Sequence, residues 1–223
     1  MPSIKIPRKS TATDMTPFVD VAFLILAFFM LATKFKPPEP ITITTPHSVS
    51  SAKLKEQDAI LLSFDSAGRV YFTMNVQKKD DEELKYELIK NVNQNRNLGL
   101  TENEMRSFQT SAMIGSPFSE LKSVLALPVN QRDKMQQKGI PVDSADNQLA
   151  TWLGAAKVVF SGKKADFMIK GDNNAKFPSF KGVIDALRAN ELFKYKLITD
   201  PKGVPEGTEL YKLRQQGKTD DES

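Results

Sequence analysis

The chain has 223 residues, of which 40% are hydrophobic and 26% charged, with a net charge of +4; this suits one sizeable folded domain with accessory segments. Acidic and basic residues are interleaved, as in KKDDEELKYELIK and NQRDKMQQK, and no basic stripe with interleaved aromatics occurs, which argues against nucleic acid as a partner. The lack of cysteine excludes disulfides, thiolate metal sites and cysteine nucleophiles. The single histidine, His47, reads as a solvated linker residue, so no transition-metal site and no cofactor are expected.

Residues 1–14 are polar and carry Lys5, Arg8 and Lys9. Residues 15–33 follow as the one dense apolar block of the chain. As a helix, Thr16–Thr33 would measure roughly 27 Å, close to the ~30 Å of a bilayer core. The block is longer than the apolar region of a signal peptide, and KFKPPEP after it offers no small-x-small cleavage site, so it is read as an uncleaved transmembrane anchor. Basic residues before it slightly outnumber Lys34 and Lys36 after it, which leans towards a cytoplasmic N-terminus. Pro17 suits a first helical turn, with Thr16 as the expected N-cap.

Asp20 is the one charged residue in this block, about one turn into the helix. It shares a face with Phe23, Leu24, Ala27 and Leu31, none of which is charged. Charged groups in membrane helices usually face a bundle interior or a watery path. Removal from water favours the neutral form of a carboxyl group, so a group that is alternately shielded and wetted would carry protons. The competing reading is a carboxylate that stays hydrated at the membrane interface, and the residues alone leave both open.

Residues 34–57 read as an extended linker stiffened by prolines. Within it Ile41 and Ile43 alternate with Thr42 and Thr44, so this stretch is expected to add as a strand to a sheet edge. Residues 58–200 read as an α+β domain. Ala59–Phe64 and Arg69–Met74 flank the turn signal DSAG and predict a hairpin. Asp80–Asn93 has helical spacing through Leu84, Leu88 and Val92. TENE, residues 101–104, reads as a capping box with Thr101 as N-cap. A second helix is expected after Ser116 and Pro117, with Leu121, Val124 and Leu125 on one face.

Ser144–Val159 is expected to be helical, with Leu149, Trp152, Leu153 and Ala156 on a core stripe. A strand over Phe167–Lys170, a helix from Pro178 to about Asn190 and a last strand over Lys194–Thr199 complete the domain. Asp172 is expected to brace the turn after the first of these. Asp65 and Asp166 read as turn or edge residues rather than an acid–base pair. Residues 201–223 form a polar tail expected to be flexible. No phosphate-cradling glycine loop, nucleophile elbow or His-rich helix occurs, so the chain is not read as an enzyme.

The stretch DMTPFVDVAFLILAFFMLAT resembles the membrane anchor of the ExbD/TolR biopolymer-transport family, with Met15, Thr16, Pro17, Asp20, Val21, Phe29 and Met30 matching its pattern. ITITTP resembles the extended segment that follows that anchor. AILLSFDSAGRVYFTMN resembles the first hairpin of the family's periplasmic domain, and ADFMIKGDNNAKFPSFKGVIDALRANELFKYKLIT its second half. Residues from about 91 to 147 have no counterpart and read as a helical insertion, either a surface elaboration packed on the domain or a surface for a periplasmic partner.

The resemblance implies a single-pass protein of the bacterial inner membrane, with a cytoplasmic N-terminus and a small periplasmic domain. It implies a homodimer whose helices sit within a ring of ExbB/TolQ-like subunits, and a TonB- or TolA-like protein that delivers work across the periplasm. Asp20 falls on the family's proton-carrying aspartate. Thr16, Pro17, Val21, Phe23, Leu24 and Ala27 would pack around it in the pore, and Ile41, Ile43 and Pro46 would meet the periplasmic partner. The alternatives are a TolR-like or motility-related subunit that engages the cell wall, with peptidoglycan as a ligand, or a simple anchored binding domain without ion conduction. A single carboxylate without neighbouring oxygen ligands favours H⁺ over Na⁺.

Overall fold

A computed structural model describes residues 15–32, 41–48, 59–76, 82–132, 134–163 and 165–201. The chain divides into two units, residues 1–39 and 40–223. The expectations for residues 1–14, most of the linker and the tail beyond 201 lie outside the described residues.

The first unit holds helix α1, Thr16–Ala32. Its first bonds run from the Phe18 and Val19 N–H groups to the Met15 carbonyl, both at 3.1 Å. Met15 rather than Thr16 therefore occupies the cap. Pro17 falls at the second helical position, where its missing N–H would have had no intrahelical partner in any case.

In the second unit, β2 (Ala59–Phe64) and β3 (Val70–Asn75) form the expected antiparallel hairpin. Its turn is closed by the Gly68 N–H donating to the Asp65 carbonyl at 2.9 Å, with Gly68 at φ +83°, a conformation that favours glycine. β4 (Asp166–Gly171) runs parallel to β2, and β5 (Tyr195–Ile198) runs parallel to β4. The sheet order is β3-β2-β4-β5. Parallel neighbours need crossovers. β4 to β5 crosses through α7 (Phe177–Ala189), and β3 reaches β4 through helices α2 to α6.

These are α2 (Glu82–Arg96), α3 (Glu102–Gln109), α4 (Phe118–Ala126), α5 (Val129–Arg132) and α6 (Gln148–Val159). The capping box on α3 is present: Thr101 Oγ1 accepts from the Glu104 N–H, and Glu104 Oε2 accepts from the Thr101 N–H. α6 starts four residues later than the sequence suggests, because Asn147 takes the cap position and its Oδ1 accepts from the Ala150 N–H.

One continuous core joins a sheet face (Ile60, Leu62, Phe72, Phe167, Ile169) to Leu88, Val92, Leu153, Val183 and Leu187 of the helices. Trp152 is buried at its centre, as its place on the α6 stripe implies. Its indole stacks on Phe72, Phe108 and Phe118 at centroid distances of 5.4, 5.6 and 5.9 Å. Two of those three rings come from the segment read as an insertion. Leu121, Leu125, Ile114 and Ile140 of that segment are also in the core, so it builds the domain rather than decorating it. It also lines the β3 edge of the sheet. Phe72 and Ile114 exchange both backbone hydrogen bonds, at 2.7 and 2.9 Å, and the Ile140 N–H donates to the Val70 carbonyl at 2.8 Å.

Residues 41–46 are not a strand. Among the described residues the ladder formed next to them is that of β1 (His47–Ser48) with β6 (Asp200–Pro201), a parallel pair of two residues each. His47, exposed as expected, thus lies in a short strand rather than a free linker.

Candidate functional site

α1 is apolar around its whole circumference, with Asp20 as its one charged residue. Asp20, Thr16, Pro17, Val21, Phe23 and Leu24 are exposed, and Ala27 is half-buried. The large apolar side chains from Phe18 to Leu31 are 52–88% exposed. A helix that is hydrophobic all round belongs in a protein core or a membrane, and among the described residues of the first unit nothing covers it. Asp20 sits at the fifth helical position, and among the described residues its carboxylate has no ion-pair or hydrogen-bond partner. At 17 residues α1 is about 26 Å long. By length and apolarity together, no helix among the described residues is long and apolar enough to cross a membrane. Thr33, the last residue of the expected span, lies outside them.

The second unit carries the segment expected to meet a partner. Ile41, Ile43 and Thr45 turn inward, the first two half-buried and the third buried, while Thr42, Thr44 and Pro46 are exposed. The alternation read from ITITTP is therefore real, although no ladder forms. The segment is held instead by the loop after β4. The Thr44 N–H donates to Asp172 Oδ2 at 2.9 Å, and the Asn173 N–H donates to the Thr44 carbonyl at 2.8 Å. Further along, the Asp200 N–H donates to the Pro46 carbonyl at 3.0 Å. Asp172 braces its own turn as well, because Oδ1 accepts from the Asn174 N–H at 2.9 Å. Of the expected docking residues, only Pro46 is fully exposed. Ile41 and Ile43 rest partly on their own domain.

Asp65 and Asp166 do not converge. They lie at opposite ends of the parallel β2–β4 pair, where Ala59 is opposite Asp166 and Phe64 opposite Gly171. Asp166 pairs with Lys196 at 2.8 Å across the β4–β5 ladder. Asp65 is a turn residue with a second task the sequence did not reveal. It is buried, and its carboxylate accepts from the Arg69 N–H, from Arg69 Nε at 2.7 Å and from the Tyr71 hydroxyl at 3.3 Å. Arg69 Nη2 lies 2.6 Å from the same oxygen as Nε. Burial pushes the Tyr71 phenol up to about 12, and the neighbouring Asp65 charge adds to that, with the Arg69 cation opposing. The Arg69 guanidinium is raised by its hydrogen bond to Asp65 and remains a fixed cation. The spacing D-x₃-R-x-Y across a hairpin turn was the available signal, since the turn brings those three positions together.

Among the described residues no group of three or more His, Cys, Asp or Glu side chains is placed to hold a metal ion. A family model described as biopolymer transport protein ExbD/TolR matches residues 7–202. No curated protein and no solved structure matches the chain.

Proposed function

The chain belongs to the ExbD/TolR family of biopolymer transport proteins, and we propose that it is the inner-membrane subunit of a motor driven by the proton-motive force, with Asp20 as the intramembrane proton carrier. On this reading α1 is the anchor and sits with a second copy inside a ring of ExbB/TolQ-like subunits. The second unit lies in the periplasm and passes work to a TonB-like protein, which energises transport at the outer membrane. The chain itself makes and breaks no covalent bonds.

The observation that carries the reading is the one carboxylate of Asp20, without a partner among the described residues, on a helix whose large apolar side chains are more than half exposed. The eleven large apolar side chains from Phe18 to Leu31 are more than half exposed. At about 1.5–3 kcal/mol per fully buried side chain, burying what they still expose is worth on the order of 10–20 kcal/mol. One aspartate within a membrane helix costs about 2.5–3.5 kcal/mol by insertion scales. The apolar term wins several-fold, so the carboxylate does not prevent insertion. The shortfall of roughly 4 Å against a ~30 Å core is of the kind that bilayer thinning or flanking side chains absorb at fractions of a kcal/mol per Å. Each proton moved through the membrane field releases ~2.3 kcal/mol per 100 mV, so a few protons suffice for a conformational cycle.

The test is co-expression with the ring partner, purification of wild type and Asp20→Asn complexes, and proton uptake in liposomes. The expected result is a mutant complex that assembles and conducts no protons. An assembled mutant with unchanged proton flux would reduce Asp20 to a hydrated interfacial residue and leave an anchored binding domain.

A further inference from the structure

The second unit contains a half-open cavity of about 320 Å³ whose walls come from three distant parts of the chain. Ile41 and Thr42 form one wall, the hairpin turn with Arg69 a second, and Met113 with Lys134, Met135 and Gln136 the third. The third wall belongs wholly to the 91–147 segment. Its volume is at the lower end of small-molecule sites, which suits a ligand the size of an amino acid or the last residues of a peptide.

The electrostatics of the cavity are set by one prearranged cation. Arg69 uses Nε and Nη2 on Asp65, which fixes the guanidinium plane. The Tyr71 hydroxyl and the Arg69 N–H supply further donors to the same carboxylate. Asp65 is thereby satisfied and offers little to a cationic ligand. A guanidinium has five N–H donors in a fixed fork. Among the described residues the Nη1 side of Arg69 makes no hydrogen bond, so the end-on pair of donors remains for a planar anion. Lys134, on the rim, forms no ion pair among the described residues and adds a second positive charge. The buried Gln137 carboxamide holds this wall in place, accepting from the Gly115 N–H at 2.6 Å and the Ser116 hydroxyl at 2.9 Å. Met113, Met135 and Ile41 give the cavity an apolar side. A planar two-oxygen anion with a small apolar group matches this arrangement, because Arg binds carboxylates through two parallel N–H···O bonds.

We propose that this cavity is a binding site for a terminal carboxylate, from a small free acid or a peptide end, clamped by Arg69 and Lys134 with its apolar part against Met113 and Met135. The site is independent of the proton-carrying role of Asp20, and its test does not use ion flux.

The test uses the full chain in detergent micelles with ¹³C-methyl-labelled methionine, so that Met113 and Met135 report occupancy. The probes are N-acetyl-alanine, the peptide N-acetyl-Ala-Ala-Ala, the C-terminal amide of that peptide, and inorganic phosphate. The free acids are expected to shift the Met113 and Met135 methyl signals, with the amide about tenfold weaker or more, as loss of a charge-assisted contact implies. Tighter binding of the peptide than of N-acetyl-alanine would identify a chain end as the source, and equal binding a small acid. Arg69→Gln would leave Asp65 buried without its cation. The informative variants are therefore Lys134→Ala, expected to weaken the acids several-fold with the fold intact, and Arg69→Lys, which keeps the charge and loses the fork. The proposal is overturned if the amide shifts these methyls as strongly as the acid, if phosphate matches the carboxylates, or if neither methyl responds.

Discussion

Truncation of Phe108 tests whether the 91–147 segment is structural. Phe108 is the one buried residue of α3, and its ring lies 5.6 Å from Trp152 at an interplanar angle of 22°. Phe108→Ala would remove an almost fully buried ring and open a gap beside the central indole. Phe-to-Ala changes in cores cost about 3–5 kcal/mol. For a domain of this size each kcal/mol moves the melting temperature by roughly 2–4 °C, so a fall of about 10 °C is expected. Trp152 is the only tryptophan, and its emission in the full chain in detergent follows urea unfolding directly. The native emission should also shift, because the indole loses a stacked neighbour. The control is Arg106→Ala on the outer face of α3. Its ion pair with Glu102 is exposed at both ends, so its loss should leave the urea transition close to that of the wild type. A Phe108→Ala loss below about 1 kcal/mol with unchanged emission would refute the claim that this segment builds the core.

Trp152→Phe should cost far less than Trp152→Ala, because the indole Nε1 has no hydrogen-bond partner among the described residues and removing a buried unsatisfied donor offsets lost contact area. Circular-dichroism melts should place the Phe variant within ~1 kcal/mol of wild type and the Ala variant about 3–5 kcal/mol below it. Tyr71 makes stability depend on alkaline pH. Its folded value of about 12 exceeds the ordinary value of 10. Its contribution is therefore complete below pH 10 and lost as pH rises through about 12, for a fall of no more than about 3 kcal/mol. Phenolate absorbance should show one late titration step that Tyr71→Phe removes. Asp172→Ala should release residues 41–48, since it deletes the acceptor of the Thr44 and Asn174 N–H groups. Hydrogen exchange at Thr44 should accelerate while the β2–β4 ladder keeps its protection.

Features encoded locally were legible in the sequence. DSAG between alternating runs pointed to the hairpin, TENE to the α3 capping box, and the three- and four-residue spacing of Leu149, Trp152, Leu153 and Ala156 to the buried face of α6. Asp20 was legible as an exception, because one carboxylate stands out against an unbroken apolar run. In ITITTP the alternation predicted the direction of the side chains correctly but not their bonding, since a carboxylate on a distant loop, Asp172, took the place of a neighbouring strand. The Asp65–Arg69–Tyr71 brace stayed hidden because each residue has an adequate local explanation, and the D-x₃-R-x-Y spacing gains meaning once Asp65 is found buried.

The 91–147 segment was the least legible part, and the reason is physical. Apart from the Leu121–Leu125 helix, its core residues, Phe108, Ile114 and Ile140, are widely spaced among polar ones, so no window shows how the pieces join. Their partners are far away in sequence, and a window cannot encode contacts of that range. The backbone bonds of Ile114 and Ile140 to β3 add a function that composition cannot express. An open strand edge invites pairing with other chains, and proteins block it by covering it or by charging it. In this sheet the two edges use the two different means. The 91–147 segment covers β3. At β5, Lys194 and Lys196 flank the exposed Tyr195, and Lys196 is held by Asp166. Deleting the segment would therefore do more than shorten the domain. It would remove two of the three rings stacked on Trp152 and uncover a hydrophobic edge, so a shortened chain would be expected to associate through β3 even where its remaining core still folded.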